Sequence, residues 1–277
     1  MSRLLRGEIQ VGKHLLRILA QKDGSWRGII LGRSNEPVSG ATAGEVEAAL
    51  RRKLAGSNSG FIGYAGARSR FLTLFPQGFA DPAYIGHTKT GERAYKDIAR
   101  DFLARELPPE QVDGSEGQGQ LALKAFQKTN LVDPHSKARL ADLLRGPRAG
   151  DWLQYIRDFA LGDIDGACRG LNAGFHGDGG ASWVAVTYLP YFWRPEQHMF
   201  LKPEVSKLFA ERVGHSFLHS YDPKPNAGSY AALLDMMAEL GDHLAELGPR
   251  DNIDLQSVVW SVVAYKVAES GPAPDQP

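Results

Sequence analysis

Residues 13–33 read KHLLRILAQKDGSWRGIILGR, and the reading of this stretch decides the fold class. Two apolar-rich runs, KHLLRILAQ and SWRGIILGR, flank Lys22, Asp23 and Gly24, a turn signal between strands. The spacing predicts a strand pair. Thr42 then precedes AGEVEAALRRKLAGS, where Val46, Ala49 and Leu50 recur at helical spacing. Glu45 lies three residues beyond the capping threonine, and Gly56 is placed to close the helix. The front, residues 1–56, therefore reads as a small ββα module.

Working outward, residues 57–110 read as a connecting region with one helix. Tyr95, Ile98, Ala99, Phe102 and Leu103 give that helix one apolar face, and Pro108-Pro109 ends it. The polar, glycine-rich PPEQVDGSEGQGQ predicts a linker at 111–120. Residues 121–268 are expected to form a helical domain. Within it, Asp133-Pro134 and Pro203-Glu204 mark helix starts, Gly214 marks an end, and Phe200 and Leu201 are placed to pack against the first turn after them. SWVAVTYLPYFW predicts a buried helix bent at Pro190. SYAALLDMMAELGDHLAEL predicts an amphipathic helix with Ser229 or Tyr230 near its cap, and its methionines read as core. NIDLQSVVWSVVAYKV, opened by Asp251 or Asp254, is apolar on several faces and predicts a buried central helix. Residues 269–277 predict a disordered tail. The fold class is α+β, predominantly α.

Composition narrows the function. The chain has 277 residues, 43% of them hydrophobic and 23% charged, which suits a packed globular protein. No apolar run reaches the roughly 18 residues a bilayer span needs, and the amino end does not read as an export signal. The expected location is the cytoplasm, without a membrane partner. Cys168 is the single cysteine, which excludes an internal disulfide and a cysteine-based zinc cluster and reads as buried filler. Net charge is zero, yet residues 1–75 hold twelve Lys and Arg against five Asp and Glu, balanced by an acidic remainder. Such a split marks a face for nucleic acid or an acidic partner, or two parts that neutralise each other, or a surface that the lysines and arginines simply solvate.

The densest candidate site is WRPEQHMFLKPEVSKLF, residues 193–209, where Trp193, Arg194, His198 and Lys202 crowd ahead of a helix start. Arg194 and Lys202 are expected to contact an anion, with Trp193 as an apolar platform. Arg51, Arg52 and Lys53 form a second basic patch, although three consecutive helix residues share no single face. His215, His219 and Asp222 are the metal alternative. Their segment follows Gly214 and precedes Pro223, so it is expected to be extended, and four strand residues span about 13 Å, too far for one ion. No metal or other cofactor is therefore expected. GFHGDGG lacks the phosphate-loop spacing, and no G-x-S-x-G elbow is present. Asp251, Asp254, Gln256 and Lys266 suggest a nuclease-like cluster, for which helix capping is the simpler reading.

Two resemblances add labels without chemistry. The ββα order with DGSWRGIILG and TAGEVEAALRRKL resembles small antitoxin-like and integrase-arm modules. Further on, ERAYKDIARDFL, KTNLVDPHSKARLADLL, HMFLKPEVSKLFAERVG and LGPRDNIDLQSVVW, in that order, resemble an uncharacterised family of bacterial proteins, which implies no activity to carry over. The residues favour a non-catalytic binding or adaptor protein that engages nucleic acid or a protein partner. The alternative is a hydrolase or nuclease, metal-dependent or not, whose site is assembled from distant segments.

Overall fold

The structure is a computed structural model that describes residues 6–11, 14–31, 34–55, 62–87 and 91–265. The expected strand pair is β2 (His14–Ala20) and β3 (Trp26–Leu31), antiparallel, with Leu16 opposite Ile30 and Ile18 opposite Gly28. The turn closes through Gln21 N–H to Ser25 O at 2.7 Å, and Gly24 takes φ 84°, a value that favours glycine. Two strands beyond the expectation flank the pair: β1 (Arg6–Val11) and β4 (Ser34–Gly40), in the order β1-β2-β3-β4. Both are edges. β4 carries Pro37, which an edge strand tolerates, and its SNEPVSG sequence has no apolar alternation to announce it.

Helix α1 (Ala43–Ala55) covers one sheet face and closes a small core of Leu16, Ile18, Ile30, Val46 and Leu50. It needs Gly28, because a Cβ there would lie 2.6 Å from Leu50 Cδ1 and 2.7 Å from Val46 Cγ1. The expected cap is present. Thr42 Oγ1 accepts from Glu45 N–H at 3.2 Å, while Glu45 Oε2 accepts from Ala41 N–H at 2.8 Å.

The remaining described residues form a helical body. It begins with α2 (Gly63–Leu74), α3 (Pro82–Ile85) and α4 (Ala94–Glu106). The region expected to hold one helix thus holds three among its described residues, since α2 buries only Tyr64, Ala67 and Phe71, a stripe too sparse to stand out. Next come α5 (Gln118–Gln127), α6 (Pro134–Arg145), α7 (Ala149–Ala160) and α8 (Ile164–Gly174). Before α5, residues 111–117 lie against α7: Val112 is buried, Arg157 donates to Val112 O at 2.8 Å and Gln154 to Asp113 O at 2.7 Å. The glycines there serve close approach, because a Cβ on Gly150 would sit 2.4 Å from Gly114 O.

Helix α9 (Trp183–Trp193) keeps Pro190 inside it and is buried along most of its length, as its sequence predicts. Thr187 Oγ1 receives Leu201 N–H at 2.9 Å, and the chain then turns through buried Phe200 and Leu201 into α10 (Pro203–Val213). Gly214 ends α10 at φ 74°. The expected extended segment beyond it is instead a single helical turn, α11 (Phe217–Ser220), formed because His215 N–H already reaches back to Ala210 O and turns the chain. α12 (Ala227–Leu244) is capped by Asn226, whose Oδ1 accepts from Ser229 N–H at 2.8 Å, so Ser229 lies near the cap as expected. α13 (Asn252–Ala264) is buried on several sides, as expected. No helix among the described residues is long and apolar enough to cross a membrane. The predicted tail, residues 269–277, lies outside the described residues.

Candidate functional site

The crowd at residues 193–202 disperses in three dimensions. Trp193 Nε1 donates to Leu107 O at 2.7 Å, and Arg194 pairs with Glu110 Oε1 at 2.7 Å. His198 is buried, with Nε2 3.1 Å from Ala160 O and Nδ1 3.3 Å from the Tyr230 hydroxyl; burial lowers its pKa and keeps it neutral. Lys202 turns the other way. Its Nζ donates to Leu131 O at 3.2 Å and rests 4.9 Å over the Trp260 ring. Lys202 lines a cavity of about 640 Å³.

The second basic patch is divided as its helical spacing requires. Arg51 bonds Glu47 Oε1 at 2.9 Å and Gly214 O at 3.1 Å, so it fastens the front module to the body. Lys53 sits on another side of α1, and the Arg52 side chain lies outside the described set.

The three histidine and aspartate residues of the metal alternative also part company. Asp222 Oδ1 receives Lys224 N–H at 2.7 Å, and His219 sits in α11. His215 instead faces Asp235 Oδ2 at 3.3 Å and Glu239 Oε1 at 3.8 Å, and these three side chains form a group compact enough for an ion. The tautomer argues against a ligand role. His215 Nδ1 accepts from Phe217 N–H at 3.0 Å, so in the neutral ring the proton is on Nε2, which donates toward the carboxylates and has no lone pair to offer. Burial, the largest influence on its pKa, favours that neutral ring.

A larger polar construction lies where the starts of α4 and α13 meet. Arg93, 1% exposed, donates to both Asp251 oxygens at 2.6 and 2.7 Å, to Asp254 Oδ1 at 2.8 Å and to Asp97 Oδ1 at 2.9 Å. Asp251 also caps α13, the role its sequence position predicts. Asp254 accepts from the Tyr84 hydroxyl, Arg250 N–H and Arg93. Burial pushes its carboxyl up, and these partners together hold it below the ordinary range. Lys266 is outside the described residues.

Beside this pair of carboxylates, Lys96 is 0% exposed. Its ammonium donates to Gln256 Oε1 at 2.7 Å, Ser257 Oγ at 2.8 Å and Glu92 Oε2 at 3.4 Å. Burial pulls its pKa down to about 8, against the opposing attraction of Glu92. The other oxygen of Glu92 accepts from the Tyr265 hydroxyl at 2.6 Å. α4 is turned differently from its apolar pattern: Lys96, Ala99 and Leu103 point inward, and Ile98 is left 40% exposed.

Glu92 and Gln256 form part of the wall of a cavity of about 640 Å³. Its lining draws on four separated stretches of the chain: Glu92 and Tyr95; Lys128, Thr129, Asn130 and Leu131; Lys202; Gln256 and Trp260. Tyr265 completes the rim. Lys128 Nζ lies 4.5 Å over the Phe102 ring, and burial lowers the pKa of Lys202 against the pull of Asp133. The lining thus sets two ammonium groups beside three aromatic rings, one carboxylate and three amides, Gln127, Asn130 and Gln256. Sequence reading found Lys202 and missed Glu92, Lys96 and Trp260. A lysine inside the buried stripe of α4 was the available signal.

No protein-family model, curated protein or solved structure matches the chain. The functional reading therefore rests on these residues.

Proposed function

We propose that this is a non-catalytic binding protein whose cavity takes a phosphate-bearing ligand of nucleotide size, either free or as the end of a nucleic acid. The observation that carries the reading is the convergence of Lys128 and Lys202 with Tyr95, Trp260 and Tyr265 on one cavity of about 640 Å³. That volume suits a small ligand, ammonium groups suit phosphate, and aromatic walls suit a base. Lys202 is already oriented by Leu131 O and the Trp260 ring, so binding costs little further ordering. The anion contact read from the sequence keeps Lys202 and exchanges Trp193 for Trp260.

A hydrolytic role has less support. Asp251 and Asp254, the carboxylates a nuclease reading would use, are engaged by Arg93, Tyr84, Arg250 and the α13 backbone. A cytoplasmic setting goes with the proposal and suits a chain with a single, buried cysteine.

Calorimetric titration tests the proposal, using pyrophosphate, nucleoside monophosphates and an oligonucleotide with or without a 5′-phosphate. Binding should weaken with salt and fall at least about tenfold in the Lys128→Ala/Lys202→Ala variant, since hydrogen bonds to charged groups contribute about 1.5–3 kcal/mol each. Tight binding of the 5′-phosphorylated oligonucleotide over its 5′-hydroxyl form identifies a nucleic-acid end as the natural source. Absence of binding at low salt, or unchanged affinity in the double variant, contradicts the proposal.

A further inference from the structure

Resting on that reading, we infer that Glu92 and Gln256 read the ring of the ligand and select a base whose edge presents N–H beside C=O, as guanine, hypoxanthine and uracil do. The inference starts from Lys96, a residue that never touches the cavity. An ammonium donates and cannot accept, so the Gln256 oxygen must face it, and the contact is 2.7 Å. The amide orientation is therefore fixed by chemistry. Its two N–H donors are left as the end of Gln256 that serves the cavity it lines.

The same ammonium holds Glu92 Oε2 at 3.4 Å, so the Glu92 carboxylate and the Gln256 amide are immediate neighbours in one wall. Glu92 accepts from Lys96 and from the Tyr265 hydroxyl, which leaves the carboxylate acceptor-only toward the cavity. The wall consequently presents a donor beside an acceptor. An oxo base supplies the complement, with its C=O for Gln256 and its ring N–H for Glu92. Adenine and cytosine carry the reverse pair, so in the one orientation that keeps the phosphate on Lys202 an amino group would meet the amide donors and a bare ring nitrogen the carboxylate. A site whose buried polar groups lose their partners rejects such analogues strongly.

The phosphate end fits the same arrangement. Gln256 and Trp260 are four residues apart in α13, on one face and separated by about one helical turn, roughly 5.4 Å along the axis. Lys202 stands over Trp260. Base recognition and phosphate recognition are thus placed side by side along one helix, with Lys96 as a positioning residue behind the first.

The test is a calorimetric panel of GMP, IMP, UMP, AMP, CMP and pyrophosphate on the full chain, repeated on Gln256→Glu with its fold checked by circular dichroism. GMP, IMP and UMP are expected to bind at least tenfold tighter than AMP and CMP. Gln256→Glu replaces the donor with an acceptor, and the GMP-to-AMP affinity ratio should fall toward one. Should that variant not fold, Glu92→Gln serves the same purpose, because the Lys96 ammonium holds the new amide oxygen and leaves N–H donors where the wall had its acceptor. Pyrophosphate binding with all five nucleotides equal overturns the ring inference alone, as does a ratio that the substitution leaves unmoved. Failure of pyrophosphate and every nucleotide to bind overturns the ligand reading and this inference together.

Discussion

The α4–α13 seam and the corner at residues 193–202 are both crowded with charge and aromatic rings, and the fold treats them oppositely. At the seam, Arg93 is 1% exposed and gathers three carboxylates from two helices. At the corner, Arg194 reaches outward to a single carboxylate, Glu110, while Trp193, His198 and Lys202 each take different partners. The difference teaches that sequence crowding is a poor guide to spatial crowding. Residues 193–202 follow a helix end and precede a helix start, so successive side chains splay. Two helix starts meeting in space, by contrast, bring residues some 160 positions apart into one network.

The contrast is broken most severely at Arg93. Arg93→Met leaves Asp251 and Asp254 buried without their cation, a change expected to cost about 3–5 kcal/mol by urea unfolding. A loss below 1 kcal/mol would place the seam among dispensable ion pairs.

What could be read from the sequence was local. Thr42 with Glu45, Asp133 with Pro134, Pro203 and Asp251 all announce helix starts through the residue beside them, and the structure has each in place. The β2–β3 hairpin declared itself by its turn, whereas β1 and β4 pair on one side only and lack its apolar density. The cavity was legible in fragments. Lys202 was singled out for its charge, but its partner ring, Trp260, lies 58 positions downstream, where helical periodicity gives it a core role. Glu92 and Lys96 were not singled out, because the Gln256 and Ser257 that meet the Lys96 ammonium lie some 160 positions downstream.

The next effect comes from Lys96, whose pKa is held at about 8 in the folded chain against an ordinary 10.5. The native state sheds this proton first, so between pH 8 and 10.5 the unfolded chain binds more protons and stability gains with rising pH. That contribution is lost as pH falls through 8. The difference in urea midpoint between the wild type and Lys96→Met should therefore shift in favour of the wild type from pH 7.5 to 9.5. A constant difference would show that Lys96 titrates at its ordinary value.

At the corner, His198 gives a smaller effect at the opposite end of the scale. Burial depresses its pKa below 6.5, so its contribution is complete above 6.5 and is lost as pH falls through the folded value. His198→Gln should flatten the decline in stability between pH 6.5 and 5. A decline as steep as that of the wild type would assign the acid sensitivity elsewhere. The smallest effect belongs to Arg194→Ala, which removes a half-exposed pair and should shift stability by no more than about 1 kcal/mol. Ligand affinity should also hold within twofold, because Arg194 is absent from the cavity lining.

The most direct test of the central claim, that the cavity between Glu92, Lys202 and α13 receives the ligand, is an NMR titration with GMP that follows the Trp260 indole N–H and the Gln256 side-chain amide. Both signals are expected to move together and saturate at the same ligand concentration. If GMP binds while these two signals stay still and others shift, the ligand sits elsewhere and the account of this cavity is wrong.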